Sequence, residues 1–198
     1  MQTFVAKRAT KYISKELNAN VEIDRIGIKL FSKVDLSGFY IEDLKGDTLL
    51  YAKHLVANIN SLDLKARYVD ISDITLQEPV IRFRKAEGET AMNLDFIVDY
   101  FKKDTTAGRS QDSDPFKIIF NKIDIVNAKF SLHNNNYKAK ENEIDFKHIN
   151  LNKVTGTFED LAFVNDSVLF NVIALEFNET GGLQVDKLVS KTVISDRG

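Results

Sequence analysis

The residue types that most often carry out chemistry are scarce in this chain of 198 residues, which has 3 His, 0 Cys and 0 Trp. His54, His133 and His148 fall in separate strand or turn contexts. None has the H-x-x-x-H or H-E-x-x-H spacing that sets two imidazoles on one metal ion. They read as ordinary surface or strand histidines. Without cysteine there is no disulfide, Fe–S cluster or thiolate zinc site. The G-x-S-x-G, Walker A and G-x-G-x-x-G patterns are all missing. The acidic pairs Glu42-Asp43 and Glu159-Asp160 stand at strand ends beside turn residues. Carboxylates there more often end strands than act as acid and base. Asp112 and Asp114 are too sparse for a calcium loop. A hydrolase would need two carboxylates converging in a cleft, and no spacing here predicts that. The expectation is a non-enzyme with no catalytic residue, no metal ligand and no cofactor.

Two patterns remain that could act without covalent chemistry. The first is a cluster of cations, Lys7, Arg8, Lys11 and Lys15, opposed locally only by Glu16. It fits contact with anionic lipid headgroups, at about 1 kcal/mol per basic residue near a charged surface. It fits equally the solvated outer face of a packed helix. The second is a long alternation of apolar and polar residues. It describes either a dry core, with the sheet packed on another layer, or a curved sheet whose concave apolar face stays open and holds lipid.

The elements that carry these patterns follow from periodicity. Val5, Ala9, Ile13 and Leu17 recur at i+4, flanked by Phe4 and Tyr12, and predict a helix over Thr3 to Asn18. From Val21 the period changes to two, and strands are expected through Phe83. Asp43 to Asp47 has turn chemistry. An interior helix is expected near 93–103, with Asn93 as N-cap and Leu94, Ile97, Val98 and Phe101 as its stripe. Residues 104–115 are nearly devoid of apolar side chains and are expected to form a mobile loop. Strands then resume, including runs at Glu143 to Leu151 and Val154 to Phe158.

The apolar phase slips by one at Ile23 to Ile26, Ile71 to Ile74 and Ile125 to Ala128. Each slip demands a bulge or bend, and repeated slips indicate strong curvature. A weak echo links Ile74–Phe83 to Ile123–Leu132 through the pattern I-x-[LI]-x-x-[PA]-x-[IF]-x-[FL]. The expected fold is mainly β (α+β). It is a strongly curved, antiparallel-rich sheet or β-groove with an N-terminal amphipathic helix and one interior helix. The expected division is a membrane-proximal helix over 1–20 and a sheet domain over 21–198. Net charge is −2 with pI near 6.0, so the chain has no nucleic-acid footprint. No apolar run reaches the ~18 residues of a membrane span.

The stretch from Ala19 to Leu55, with Tyr40-Ile41-Glu42-Asp43-Leu44-Lys45-Gly46-Asp47-Thr48-Leu49-Leu50 at its centre, resembles the N-terminal region of the TamB/AsmA-like proteins of Bacteroidota. Ile71 to Phe83 with Pro79, and Asn93 to Ile97, are similar to that family's repeated strand unit and following helix. The likeness covers roughly residues 2–103 well and the remainder loosely. It implies a membrane-proximal piece of a longer protein in the periplasm, anchored to the inner membrane by a segment outside these residues. It implies a β-groove acting in phospholipid transport to the outer membrane and in its biogenesis. The partners it implies are phospholipid acyl chains, the inner-membrane surface and, through the rest of a longer chain, outer-membrane assembly proteins.

On that reading the groove is lined by Ile26, Ile28, Leu30, Leu36, Phe39, Ile41, Ile74, Leu76, Ile81, Phe83, Ile123, Ile125, Phe130 and Leu132. Lys7, Arg8, Lys11 and Lys15 meet the membrane surface. The alternative is a packed cap or anchor that supports outer-membrane protein assembly and has no ligand of its own.

Overall fold

A computed structural model describes residues 2–29, 32–63, 65–102, 117–140, 143–164 and 167–195. The expected loop at 104–115, Asp112, Asp114 and Leu30 lie outside the described residues. The fold is mainly β with a curved sheet, as the periodicity predicts. Helix α1 (Gln2–Leu17) leads into β1 (Val21–Lys29), β2 (Lys33–Glu42), β3 (Thr48–Asp63), β4 (Tyr68–Gln77) and β5 (Val80–Lys85). Helix α2 (Asp95–Lys102) follows, then β6 (Lys117–Asn134), β7 (His148–Val164), β8 (Ser167–Glu179) and β9 (Gln184–Ser195). One nine-stranded sheet runs β1-β2-β3-β4-β6-β7-β8-β9, with β5 pairing β3 and β6.

Strands β4 and β5 are two halves of one interrupted strand, broken at Glu78 and Pro79. The two halves lie parallel to β6, and all other pairings are antiparallel. The sequence echo is resolved by this pairing. Ile74, Leu76, Ile81 and Phe83 sit opposite Ile123, Ile125, Phe130 and Leu132, residue for residue. Both copies bulge at the same place, with Glu78 at φ 49° and Asn127 at φ 54°. The Glu78 N–H donates to the Val126 carbonyl at 2.9 Å, so the two bulges interlock.

The bulges form a crease across the sheet. Left-handed backbone recurs at Gly38 (φ 61°) in β2, Glu78 between β4 and β5, Asn127 in β6 and Lys153 (φ 54°) in β7. A Cβ on Gly38 would run into the Asp24 carboxylate. At Asp24 and Gly38 both strands change phase together with the β1–β2 register unbroken, whereas the β6–β7 register shifts between Ile125 and Ala128. Ile26 therefore stays on the face of Ile23, and Ala128 on the face of Ile125, despite the slip in sequence. At Ile71 to Ile74 the β3–β4 register also shifts, next to Asn58 and Ile59.

Three expectations change. Glu159 and Asp160, expected at a strand end, stand inside β7, with Asp160 at φ 57°. The run from Glu143 is a strand only from His148. Residues 143–147 form a loop, because the Asp145 carboxylate accepts the backbone N–H groups of Lys140 (3.0 Å) and Lys147 (2.8 Å) and so holds them in a turn. Asn93 does not cap α2. Its side chain accepts the Arg84 N–H (2.8 Å) and donates to Asp43 (3.2 Å), fastening β5 to the β2–β3 turn.

Candidate functional site

Directly opposed residues in a sheet lie on one face. Following the register therefore assigns that face across the whole width. One row runs Ile26, Leu36, Leu55, Leu76, Ile125, Gly156, Leu175, Leu188, through eight strands. A second runs Ile28, Val34, Ala57, Ile74, Ile123, Phe158, Val172. A third runs Val21, Ile41, Leu50, Ile81, Phe130, Leu151. Phe83 and Leu132 pair beyond it, and Phe83 meets Phe130 edge to face at 5.4 Å. Phe39 pairs with Ile23. Apart from Leu30, the residues expected to line a groove thus share one side of the sheet. The opposite side is largely polar, as in the row Asp35, Val56, Thr75, Asp124, Thr157.

The two helices cover the apolar face over its first strands, and beyond them buried positions (Ala128, Val154, Val172) alternate with partly open ones. Helix α1 sets Ala6, Ile13 and Leu17 against Val21, Ile23, Ile26, Val34, Leu36, Phe39 and Ile41. Helix α2 and the turn before it bring Leu94, Phe96 and Ile97 onto the cluster of Val21, Ile41 and Leu49, which Phe83 also joins. Arg67, at the tip of the β3–β4 hairpin, reaches Glu16 of α1 at 2.6 Å, and the Tyr100 hydroxyl of α2 donates to the same carboxylate at 2.8 Å. These contacts curl the hairpin tip and both helices onto one another.

Along the first row exposure is 7% at Ile26, 6% at Leu55 and 8% at Leu76, and it reaches 39% at Leu188. Ile125 and Leu175 between them are half-buried. Ile26, Ile41 and Leu76 are therefore closed from solvent and line no open groove. Ile28, at 60% exposure, lies beyond the cover at the β1 edge. Ile74, Ile81, Phe83, Ile123, Ile125, Phe130 and Leu132 are half-buried. The open part is a broad surface. A cleft of about 520 Å³ is walled by the β2–β3 turn, Arg84 and the start of α2.

The cationic side chains of α1 are exposed. At 100° per residue Lys7, Arg8, Lys11 and Lys15 fall within about 100° of arc. Ala6, Ile13 and Leu17 occupy the opposite side, so the basic stripe points away from the sheet.

The motif around Asp43 is structural, a role its spacing alone did not disclose. Asp43 is buried at 3% exposure. One carboxylate oxygen accepts the N–H groups of Lys45 (2.9 Å) and Asp47 (3.0 Å). The other accepts from Arg84 (2.9 Å) and Asn93 (3.2 Å). Burial opposes the charge, but these donors outweigh it and hold the carboxyl below its usual range.

The three histidines are dispersed as expected in part only. His54 meets Ser37, whereas His133 and His148 pair across β6 and β7 with ring centres 5.8 Å apart. Among the described residues no group of three or more His, Asp or Glu side chains is placed to hold a metal ion. No helix among them is long and apolar enough to cross a membrane. No family model matches the chain, and no curated protein matches it.

Proposed function

We propose that the chain is the membrane-proximal segment of a TamB/AsmA-like β-groove that shields phospholipid acyl chains in transit to the outer membrane. The observation that carries this reading is the set of apolar rows, closed under α1 and α2 over β1 to β3 and uncovered along the first row from Leu76 to Leu188, while Val172 stays buried. Moving a 16-carbon chain into water costs roughly 12 kcal/mol at about 0.8 kcal/mol per CH₂. An apolar strip of Ile, Leu, Val and Phe removes most of that cost and needs no nucleophile, metal or cofactor. The headgroup stays at the wet margin. The basic stripe of α1 rests on the inner-membrane surface on its periplasmic side, and outer-membrane assembly proteins are met through the remainder of a longer chain.

The test is photo-crosslinking. A photoreactive residue at Leu175 or Leu188 is expected to capture acyl chains of added phospholipid. The same residue at Thr75, on the polar side, is expected to capture none. Equal capture at all three positions, or none at Leu175 and Leu188, removes the reading.

A second reading, a packed cap or anchor without a ligand, is favoured by the closed cluster of Ala52, Leu55, Ala57 and Leu76. It predicts no capture at any position.

A further inference from the structure

The end of the sheet where α1 meets β1 carries loop tips that the groove does not use. Leu44 in the β2–β3 turn is 61% exposed, and Tyr137, Ile144 and Phe146 in the β6–β7 loop are 55%, 45% and 74% exposed. These loops are fastened to each other through the β5–α2 loop. Lys45 pairs with Glu89 at 2.5 Å, the Asn136 amide donates to the Glu89 carbonyl at 2.8 Å, and the Gly88 N–H donates to Asn136 at 2.7 Å. The tips are therefore held in place without an occupant. Large apolar side chains exposed on fixed loops mark an interaction surface.

The charges indicate what meets it. Leu44, Tyr137 and Phe146 are each followed in sequence by a lysine, namely Lys45, Lys138 and Lys147. Lys147 Nζ lies over the Tyr137 ring, 5.1 Å from its centre. Among the described residues, most nearby carboxylates are turned inward or paired. Asp43 is buried in its turn, and Asp145 accepts two backbone N–H groups and the His148 ring at 2.9 Å. Glu143 pairs with Lys140 and Asp47 with Arg84, while Glu87 stays exposed. Apolar and aromatic tips with lysines at their bases suit the boundary of a bilayer, where rings sit at headgroup depth and amines reach phosphate.

We propose that this rim of loops is a second membrane-contacting surface, separate from α1, whose tips enter the interfacial layer of a phospholipid bilayer. It stands independently of the groove and uses none of the groove's residues.

The chain has 0 Trp, so Phe146→Trp supplies a single reporter. Its emission is expected to shift to the blue on phosphatidylcholine vesicles and to keep that shift in high salt. A Tyr51→Trp reporter on the polar side is expected not to move. Adding Tyr137→Ser and Ile144→Ser to the Phe146→Trp chain is expected to weaken vesicle affinity roughly tenfold or more. These side chains are exposed, and circular dichroism of each variant checks that the fold is kept.

No shift on any vesicle overturns the proposal. So does a shift that grows with protein concentration without vesicles, which would make the rim a protein contact. A charge-reversed α1 (Lys7→Glu, Lys11→Glu, Lys15→Glu) separates the two surfaces. It is expected to lose only salt-sensitive binding to phosphatidylglycerol vesicles. If it also abolishes the Phe146→Trp shift on neutral vesicles, the rim is no independent site.

Discussion

Asp43 shows how one residue fixes several elements. It satisfies the turn between β2 and β3, the Arg84 guanidinium of β5 and the Asn93 amide before α2. Asp43→Ala removes the acceptor of the Lys45 and Asp47 N–H groups, while Arg84 keeps Asp47 and the Asn93 amide keeps the Arg82 carbonyl, and a loss of about 2 kcal/mol in denaturant unfolding is expected. The carboxyl lies below its unfolded value, so its contribution is complete above the unfolded pKa near 4 and is lost as pH falls through the folded value. Asp43→Asn is therefore expected to flatten the acid side of the stability profile. Asp145 is held in the same way, chiefly by the Lys140 N–H, and its carboxyl is lowered to about 2. In the core, Leu76→Ala removes a side chain at 8% exposure between Leu55 and Ile125, and about 2–4 kcal/mol is expected to go with it. The turn around Asp43 was legible in sequence, because Asp, Gly and Asp at that spacing are turn formers. The burial of its carboxylate was not, because Arg84 and Asn93 come from 41 and 50 residues away.

At the scale of elements, the phase slips carried the most information. They located the in-register break at Asp24 opposite Gly38 and the bulge at Asn127, and they implied curvature. The echo of Ile74–Phe83 in Ile123–Leu132 turned out to be a parallel pair in register, a long-range relation that two short copies can suggest but not orient. Left-handed backbone at Glu78 strains a residue with a Cβ, whereas Asn tolerates it better. Glu78→Gly is expected to be neutral or to stabilise by up to about 1 kcal/mol, and Gly38→Ala to destabilise by more than that, both read from thermal or denaturant melts. The strand expected from Glu143 failed for a local reason. The apolar alternation Ile144-Asp145-Phe146 was real, but Asp145 draws the backbone into a turn and leaves both apolar side chains in solvent.

For the whole molecule, the sheet is built as a one-sided surface, with apolar rows that extend beyond the described parts of its two helices. That sidedness was readable in the alternation, and the registered rows now place its members together. The extent of cover was not readable, since it depends on how the β3–β4 tip and Tyr100 gather on Glu16. The basic stripe of α1 gives a prediction at this scale. Reversing Lys7, Lys11 and Lys15 is expected to abolish salt-sensitive sedimentation with anionic vesicles, by roughly 1 kcal/mol per residue, while leaving the melting temperature nearly unchanged. The most direct measurement is the phospholipid content of the purified chain, by mass spectrometry of its organic extract, beside a variant carrying Leu175→Glu and Leu188→Glu on the open rows. Phospholipid bound to the parent chain and lost from the folded variant is the expected result. Equal lipid in both, or none in either after incubation with vesicles, would contradict an acyl-chain surface on this face.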